Sequence, residues 1–131
     1  MSELMLDTDI SSYIIRRRPA AMLDKFHKHA DSLCVSVITA AELRFGAEKA
    51  GRAQLVDLVE AYLERVAIID WTVGVCAHYA RIRAALERSG KPIGNMDLLI
   101  ASHAASMRAT VITNNLKHFS MVPGLKVEAW A

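Results

Sequence analysis

Five polar residues along this chain share one setting: each stands beside a short apolar run. Met5-Leu6 ends in Asp7, with Asp9 one residue beyond. Glu42 follows Val37-Ile38-Thr39-Ala40-Ala41, Asp97 precedes Leu98-Leu99-Ile100-Ala101, and Asn115 follows Val111-Ile112-Thr113-Asn114. An acid at the end of a buried strand costs stability unless something pairs with it. Carboxylates gathered in one low-dielectric cleft repel strongly, so Asp7, Glu42 and Asp97 stay together only if protons or a cation neutralise them. Mg²⁺ and Mn²⁺ suit oxygen donors and keep several waters. A bound divalent cation makes water a better nucleophile and stabilises charge on a phosphoryl oxygen. The chemistry implied is hydrolysis of a phosphodiester.

Each acid also has a plainer reading. Thr39-Ala40-Ala41-Glu42 has the form of a capping box, in which the Glu reaches back to the Thr backbone N–H. Asp97 suits the positive end of a helix. Asp9 is the expected cap of the first helix, which leaves Asp7 in need of another partner. Asp70 is expected to cap the helix after Trp71 and stays outside the site. The histidines show no ligand spacing, and His27, His29, His78, His103 and His118 read as surface or satisfied core groups. Met22, Met96, Met107 and Met121 read as packing residues. Cys34 and Cys76 lack metal or redox spacing, so both read as small core residues.

The elements that must position these residues alternate between strand and helix. Strands are expected at 4–7, 33–37, 67–69 and 110–112, with an edge strand at 125–127. Helices are expected at 10–17, 19–30, 39–49, 53–66, from Asp70 to about Ser89, and from Asn95 or Met96 to 107. The clearest stripe is Leu55, Leu58, Val59, Tyr62, Leu63 and Val66, at spacings of three and four. Strands alternating with helices argue for a parallel sheet covered on both faces. Ligands of such sheets bind outside the carboxyl ends of the strands, where Asp7, Asp9 and Asn115 fall. Glu42 and Asp97 lie early in helices that can begin at the same edge.

The totals fit one domain spanning 1–131. Apolar residues make up 53% of 131 and charged residues 23%, enough to bury a core. Every apolar run is interrupted before it could span a bilayer, and the start lacks the pattern of a signal peptide, so a soluble cytoplasmic protein is expected. Net charge is only +2, compatible with nucleic acid without demanding it. Arg16, Arg17 and Arg18 are nevertheless clustered, with Lys25, His27, Lys28 and His29 following.

Four segments in this order resemble the PIN-domain ribonucleases, and within them the VapC toxins of toxin–antitoxin pairs. They are Met5-Leu6-Asp7-Thr8-Asp9, Ser36-Val37-Ile38-Thr39-Ala40-Ala41-Glu42-Leu43, Gly94-Asn95-Met96-Asp97, and Val111-Ile112-Thr113-Asn114-Asn115 followed by Phe119. The resemblance covers almost the full length. It implies an α/β fold, a three-layer α/β/α sandwich around a parallel sheet of about five strands. It implies an endoribonuclease dependent on Mg²⁺ or Mn²⁺, with Asp7, Glu42 and Asp97 matching the acids that hold the metal. Thr113 matches the hydroxyl residue lining the site, and Asn115 stands where the family often has a fourth acid. An amide carries no charge. Asp9, where relatives often have an uncharged polar residue, is expected to restore part of it.

The resemblance also implies partners. They are a structured RNA such as transfer RNA, a VapB-like antitoxin whose tail crosses the cleft, and a second copy of the chain. Operator DNA is reached only through the antitoxin, and no membrane is involved. The apolar faces of 19–30 and 53–66 are candidates for an antitoxin groove. Arg16, Arg17, Arg18, Arg44, Lys91 and Lys117 are candidate phosphate contacts. Two alternatives stay open. Asp7-Thr8-Asp9 after a strand also resembles the nucleophile pair of haloacid-dehalogenase-like phosphatases, with Thr113 in place of their second motif. A PIN-fold binding module without catalysis is the other.

Overall fold

The computed structural model describes residues 3–130. Strand β1 (Leu4–Leu6) is central, and the sheet order is β3-β2-β1-β4-β5, with β2 Leu33–Ser36, β3 Ala67–Ile69, β4 Thr110–Ile112 and β5 Lys126–Glu128. All pairings are parallel: Leu6 lies opposite Ile112, and Met5 opposite both Cys34 and Val111. The helices are α1 Thr8–Arg17, α2 Ala20–Lys28, α3 Val37–Ala50, α4 Ala53–Glu64, α5 Val73–Arg88, α6 Asn95–Met107 and the short α7 Leu116–Phe119. This is the expected sandwich of a five-stranded parallel sheet between helices.

Strand alternation explains the layers. Leu6, Leu33, Val35 and Ile112 point to one face, against Ile10 and Ile14 of α1, Phe26 of α2, Leu43 of α3 and Leu55, Val59 and Leu63 of α4. Met5, Cys34 and Val111 point to the other, against Leu86 of α5, Ile100 and Ala104 of α6, and Phe119. Both faces are covered at the centre of the sheet, so β1, β2 and β4 are mostly apolar, while the edge strand β5 carries exposed Lys126 and Glu128. The stripe read on 53–66 is the buried face of α4. One polar bond ties this layer together: the Tyr62 hydroxyl donates to Ser11 Oγ at 2.7 Å, both groups buried. Tyr62→Phe is expected to cost about 1–2 kcal/mol in a urea melt, because Ser11 loses a partner that water cannot replace.

Helix starts depart from the sequence reading in three places. Asp7, not Asp9, caps α1, accepting from the Ile10 N–H at 2.7 Å. Ser36, not Thr39, caps α3, accepting from the Ile38 N–H at 3.1 Å. The helix therefore starts two residues early, at Val37, and the capping box at Thr39–Glu42 does not form. Helix α5 is entered through Thr72 rather than a side-chain cap from Asp70. The backbone of Asp70 instead bonds His103, a fully buried imidazole whose Nδ1 lies 2.7 Å from Ser36 Oγ. Ser36 Oγ accepts from Ile38 and also pairs with His103, which is thereby the satisfied core histidine expected. Cys34 is buried, but Cys76 is exposed on the outer side of α5, and Met96 is 42% exposed; neither is a core residue.

Candidate active site

In the order β3-β2-β1-β4-β5 the chain leaves β1 toward one side of the sheet and β4 toward the other. The crevice between β1 and β4 is therefore the switch point where parallel sheets bind ligands. Asp7 follows β1 directly and Thr113 follows β4 directly, so both stand at its mouth. The Asp7 N–H bonds the Ile112 carbonyl at 3.0 Å, which fixes the two chain ends side by side.

Asp7 is 1% exposed, and both its oxygens are engaged. Oδ1 accepts from Ile10, and Oδ2 accepts from the Thr113 hydroxyl. The same Thr113 oxygen accepts the Asn115 N–H at 2.7 Å. Burial pushes the Asp7 carboxyl up to about 6, with the charges of Asp9 and Asp97 pushing the same way. The bonds from Thr113 and Ile10 oppose that rise without cancelling it. Asp97, in the first turn of α6, is also raised by burial and by Asp9, while His118 pulls it down. Asp7, Asp9 and Asp97 thus share one electrostatic neighbourhood at the strand ends.

Glu42 takes a different place. It is half-buried on α3, in a cleft of ≈ 70 Å³ lined also by Thr8, Ser12 and Arg16 of α1. A bond of 3.1 Å between Thr8 and Thr39 holds the start of α1 against α3 beside it. The charges that raise Asp7 are those of Asp9 and Asp97. Among the described residues, no three acidic, histidine or cysteine side chains form a ready cage for an ion. The donors still fit Mg²⁺ or Mn²⁺, since such ions use one or two carboxylates, several waters and the substrate phosphate rather than an all-protein shell.

Asn115 and His118 lie three apart, bracketing the start of α7, and meet. The Asn115 amide nitrogen is 2.8 Å from His118 Nδ1, which is also 3.4 Å from Asp97 Oδ2. Sequence reading missed His118. Its signal was the i, i+3 spacing from Asn115, which puts the two on one helical face.

The basic candidates differ in freedom. Arg44 is held by both oxygens of Glu60, at 2.9 and 3.0 Å, so its charge is matched on the protein. Arg16 and Arg17 are exposed and share an open cleft of ≈ 350 Å³ with Arg52 and Gln54. Arg16 also borders the Glu42 cleft, so one side chain lines both. Arg52 was not singled out in the sequence, because it stands alone there at the turn between α3 and α4. Arg18, Lys91 and Lys117 are exposed, Lys91 in the loop before α6 and Lys117 on α7.

A further cavity of ≈ 250 Å³ lies between α1, α2 and α4, with Ile14, Leu23, Phe26, Leu58 and Tyr62 on its walls and Arg18 and Arg65 among the charged lining. The apolar faces expected on 19–30 and 53–66 meet there.

Residues 4–125 match the model of the PIN domain. The chain belongs to the PIN-domain family, among its VapC members. It is 41% identical over 131 residues to a ribonuclease VapC2 of Haemophilus influenzae, covering 99% of each chain. It is 35% identical over 132 residues to a tRNA(fMet)-specific endonuclease VapC of Shigella flexneri, covering 100% of each. A solved DNA-bound VapBC complex from Salmonella typhimurium superposes with a TM-score of 0.97 at 36% identity over the whole of both chains. No helix among the described residues is long and apolar enough to cross a membrane.

Proposed function

We propose that this chain is the toxin of a VapBC-type pair, an endoribonuclease that hydrolyses a phosphodiester of a structured RNA with a divalent cation and is silenced by a VapB-like antitoxin. The observation that carries the reading is Asp7. A carboxylate buried at the switch point, with both oxygens oriented and two further acids acting on it, has no structural need that an uncharged residue would not meet better. It has a chemical one.

When bound, Mg²⁺ or Mn²⁺ supplies a polarised water and charge stabilisation for the phosphoryl oxygens. Asp7 and Asp97 would hold it, with Asp9 adding charge. Thr113 keeps Asp7 in a single orientation, and the Asn115 N–H in turn fixes the Thr113 hydroxyl. Glu42 lines the cleft next to Thr8 and acts on the water or phosphate entering there. Arg16, Arg17 and Arg52 hold the RNA backbone along the neighbouring cleft, where each phosphate contact positions the strand without reading sequence. The likeness to a tRNA(fMet)-specific endonuclease supports transfer RNA as substrate.

The cavity between α1, α2 and α4 takes an apolar segment of the antitoxin, with acidic side chains meeting Arg18 and Arg65. Leu58→Lys, on a half-buried wall of that cavity, is expected to leave RNA cleavage within about twofold. It should weaken antitoxin inhibition by roughly a hundredfold, as loss of a central apolar anchor does. Inhibition titrations of variant and parent check this. Exposed Phe45 and Val73 offer apolar surface for a second copy of the chain.

The test of the reading is cleavage of transfer RNA by the purified chain with Mg²⁺, with EDTA, and by Asp7→Ala. Cleavage only in the first condition supports it. A phosphoaspartate trapped on Asp7 would instead favour phosphatase chemistry.

A further inference from the structure

Where a fourth acid is expected, this chain has an amide, and the structure shows that the amide is not alone. The Asn115 side chain is turned to His118, and His118 is turned to Asp97. The half-exposed His118 imidazole and the less exposed Asp97 carboxylate, 48% and 23%, face each other across 3.4 Å.

That separation is informative. A hydrogen bond between nitrogen and a carboxylate oxygen usually measures about 2.7–3.2 Å. Two atoms bound to one ion at adjacent corners of an octahedron, with bonds of about 2.1 Å, lie about 3.0 Å apart. At 3.4 Å the pair is a few tenths of an ångström longer than either, so the two atoms are not tied tightly to each other and need only a small shift to share an ion. The Asn115 contact at 2.8 Å fits the same picture. Nδ1 faces both the Asn115 amide and the Asp97 carboxylate, and with the ring proton on Nε2 its lone pair meets the Asn115 N–H. The lone pair that faces the N–H is the one a cation would take.

We propose that His118 Nδ1 is a ligand of the site's cation alongside Asp97, replacing the missing fourth carboxylate and biasing the site from Mg²⁺ toward Mn²⁺. The proposal rests on the reading of a cation-dependent site given above. Mg²⁺ strongly prefers oxygen donors, whereas first-row transition ions accept imidazole readily. An amide and an imidazole in place of an acid therefore remove one negative charge and add one softer donor. Asn115 holds the ring in the competent tautomer until the ion displaces its N–H.

The experiment is pulsed electron paramagnetic resonance on the full chain loaded with Mn²⁺, together with Mn²⁺ and Mg²⁺ binding isotherms. The parent should show ¹⁴N coupling to Mn²⁺ and His118→Gln should not. His118→Gln should lose roughly tenfold in Mn²⁺ affinity and less in Mg²⁺ affinity. His118→Glu should also lose the coupling but regain Mg²⁺ affinity, an outcome that a merely structural histidine would not give. Unchanged melting temperatures of both variants without metal would show that the fold is intact. A parent that cleaves RNA with Mn²⁺ but shows no ¹⁴N coupling overturns the inference and leaves the nuclease reading standing. Loss of affinity in His118→Gln without a parent coupling also overturns it, since His118 would then act only through Asp97. A chain that neither binds Mn²⁺ nor cleaves RNA overturns both.

Discussion

Asp7→Asn is expected to abolish RNA cleavage and, in the absence of metal, to raise the melting temperature at neutral pH. Both effects have one cause. The folded Asp7 carboxyl titrates at about 6 against an ordinary value of 3.8, chiefly because it is buried. Between those values the folded protein keeps a proton that the unfolded chain has released. Stability is thus unaffected by this group below the ordinary value, falls as pH rises through the window, and levels off above about 6. The full penalty is about 3 kcal/mol. Asparagine removes it and still caps α1 toward Ile10. It forfeits the Thr113 bond to Oδ2, a loss of about 1 kcal/mol. The net gain of about 2 kcal/mol is several degrees in a domain of this size. Calorimetry in EDTA should show that gain at pH 7.5 and none at pH 4. Cleavage should fall on the order of 10³-fold, the scale of losing several kcal/mol of charge stabilisation.

Thr113→Val should act in the opposite sense on stability. The hydroxyl donates to Asp7 and accepts from the Asn115 N–H, so its removal strands two polar groups. The expected cost is about 1–3 kcal/mol. Thr113 is also the strongest influence lowering the Asp7 carboxyl. Without it, that carboxyl titrates above its present value, and the fraction ionised near neutral pH falls. The pH–rate profile should therefore move to higher pH, with cleavage at pH 6 down more than cleavage at pH 8. Thr113→Ser keeps the hydroxyl and should restore both stability and profile. A profile unmoved in Thr113→Val would mean that Asp7 does not limit the reaction.

The sequence made the sheet legible because buried parallel strands are short, apolar and bounded. Met5-Leu6, Cys34-Val35, Ile68-Ile69 and Val111-Ile112 each fall within their expected strands. The stripe of α4 was equally clear, since helical spacing leaves one solution for its inner face. Helix starts were not legible. Asp7 and Asp9, or Ser36 and Thr39, are equally good caps by type, and only the strand's last hydrogen bond decides between them. Asp7 could be placed at the strand ends from its position alone, and so could Thr113. That Glu42 lines a cleft with Thr8 and Arg16 depends on how α3 lies on α1. His118 was invisible because a lone histidine gains meaning only from what a four-residue helix brings it against.

The arrangement also separates chemistry from control. The acids sit at the carboxyl ends of β1 and in the first turns of α1 and α6, while the apolar cavity lies between α1, α2 and α4. A partner can therefore be changed at Leu58 without touching the acids.

The central claim is that Asp7 and Asp97 share one divalent ion, and proton release on metal binding tests it most directly. Titration calorimetry with Mn²⁺ at pH 6 in buffers of different ionisation enthalpy counts the protons displaced. With Asp7 titrating at about 6, about half a proton per ion should leave at that pH, and close to none at pH 8. Asp7→Asn should release none and bind far more weakly. Mn²⁺ binding of equal strength in Asp7→Asn or Asp97→Asn, with no proton displaced from the parent, would contradict the account.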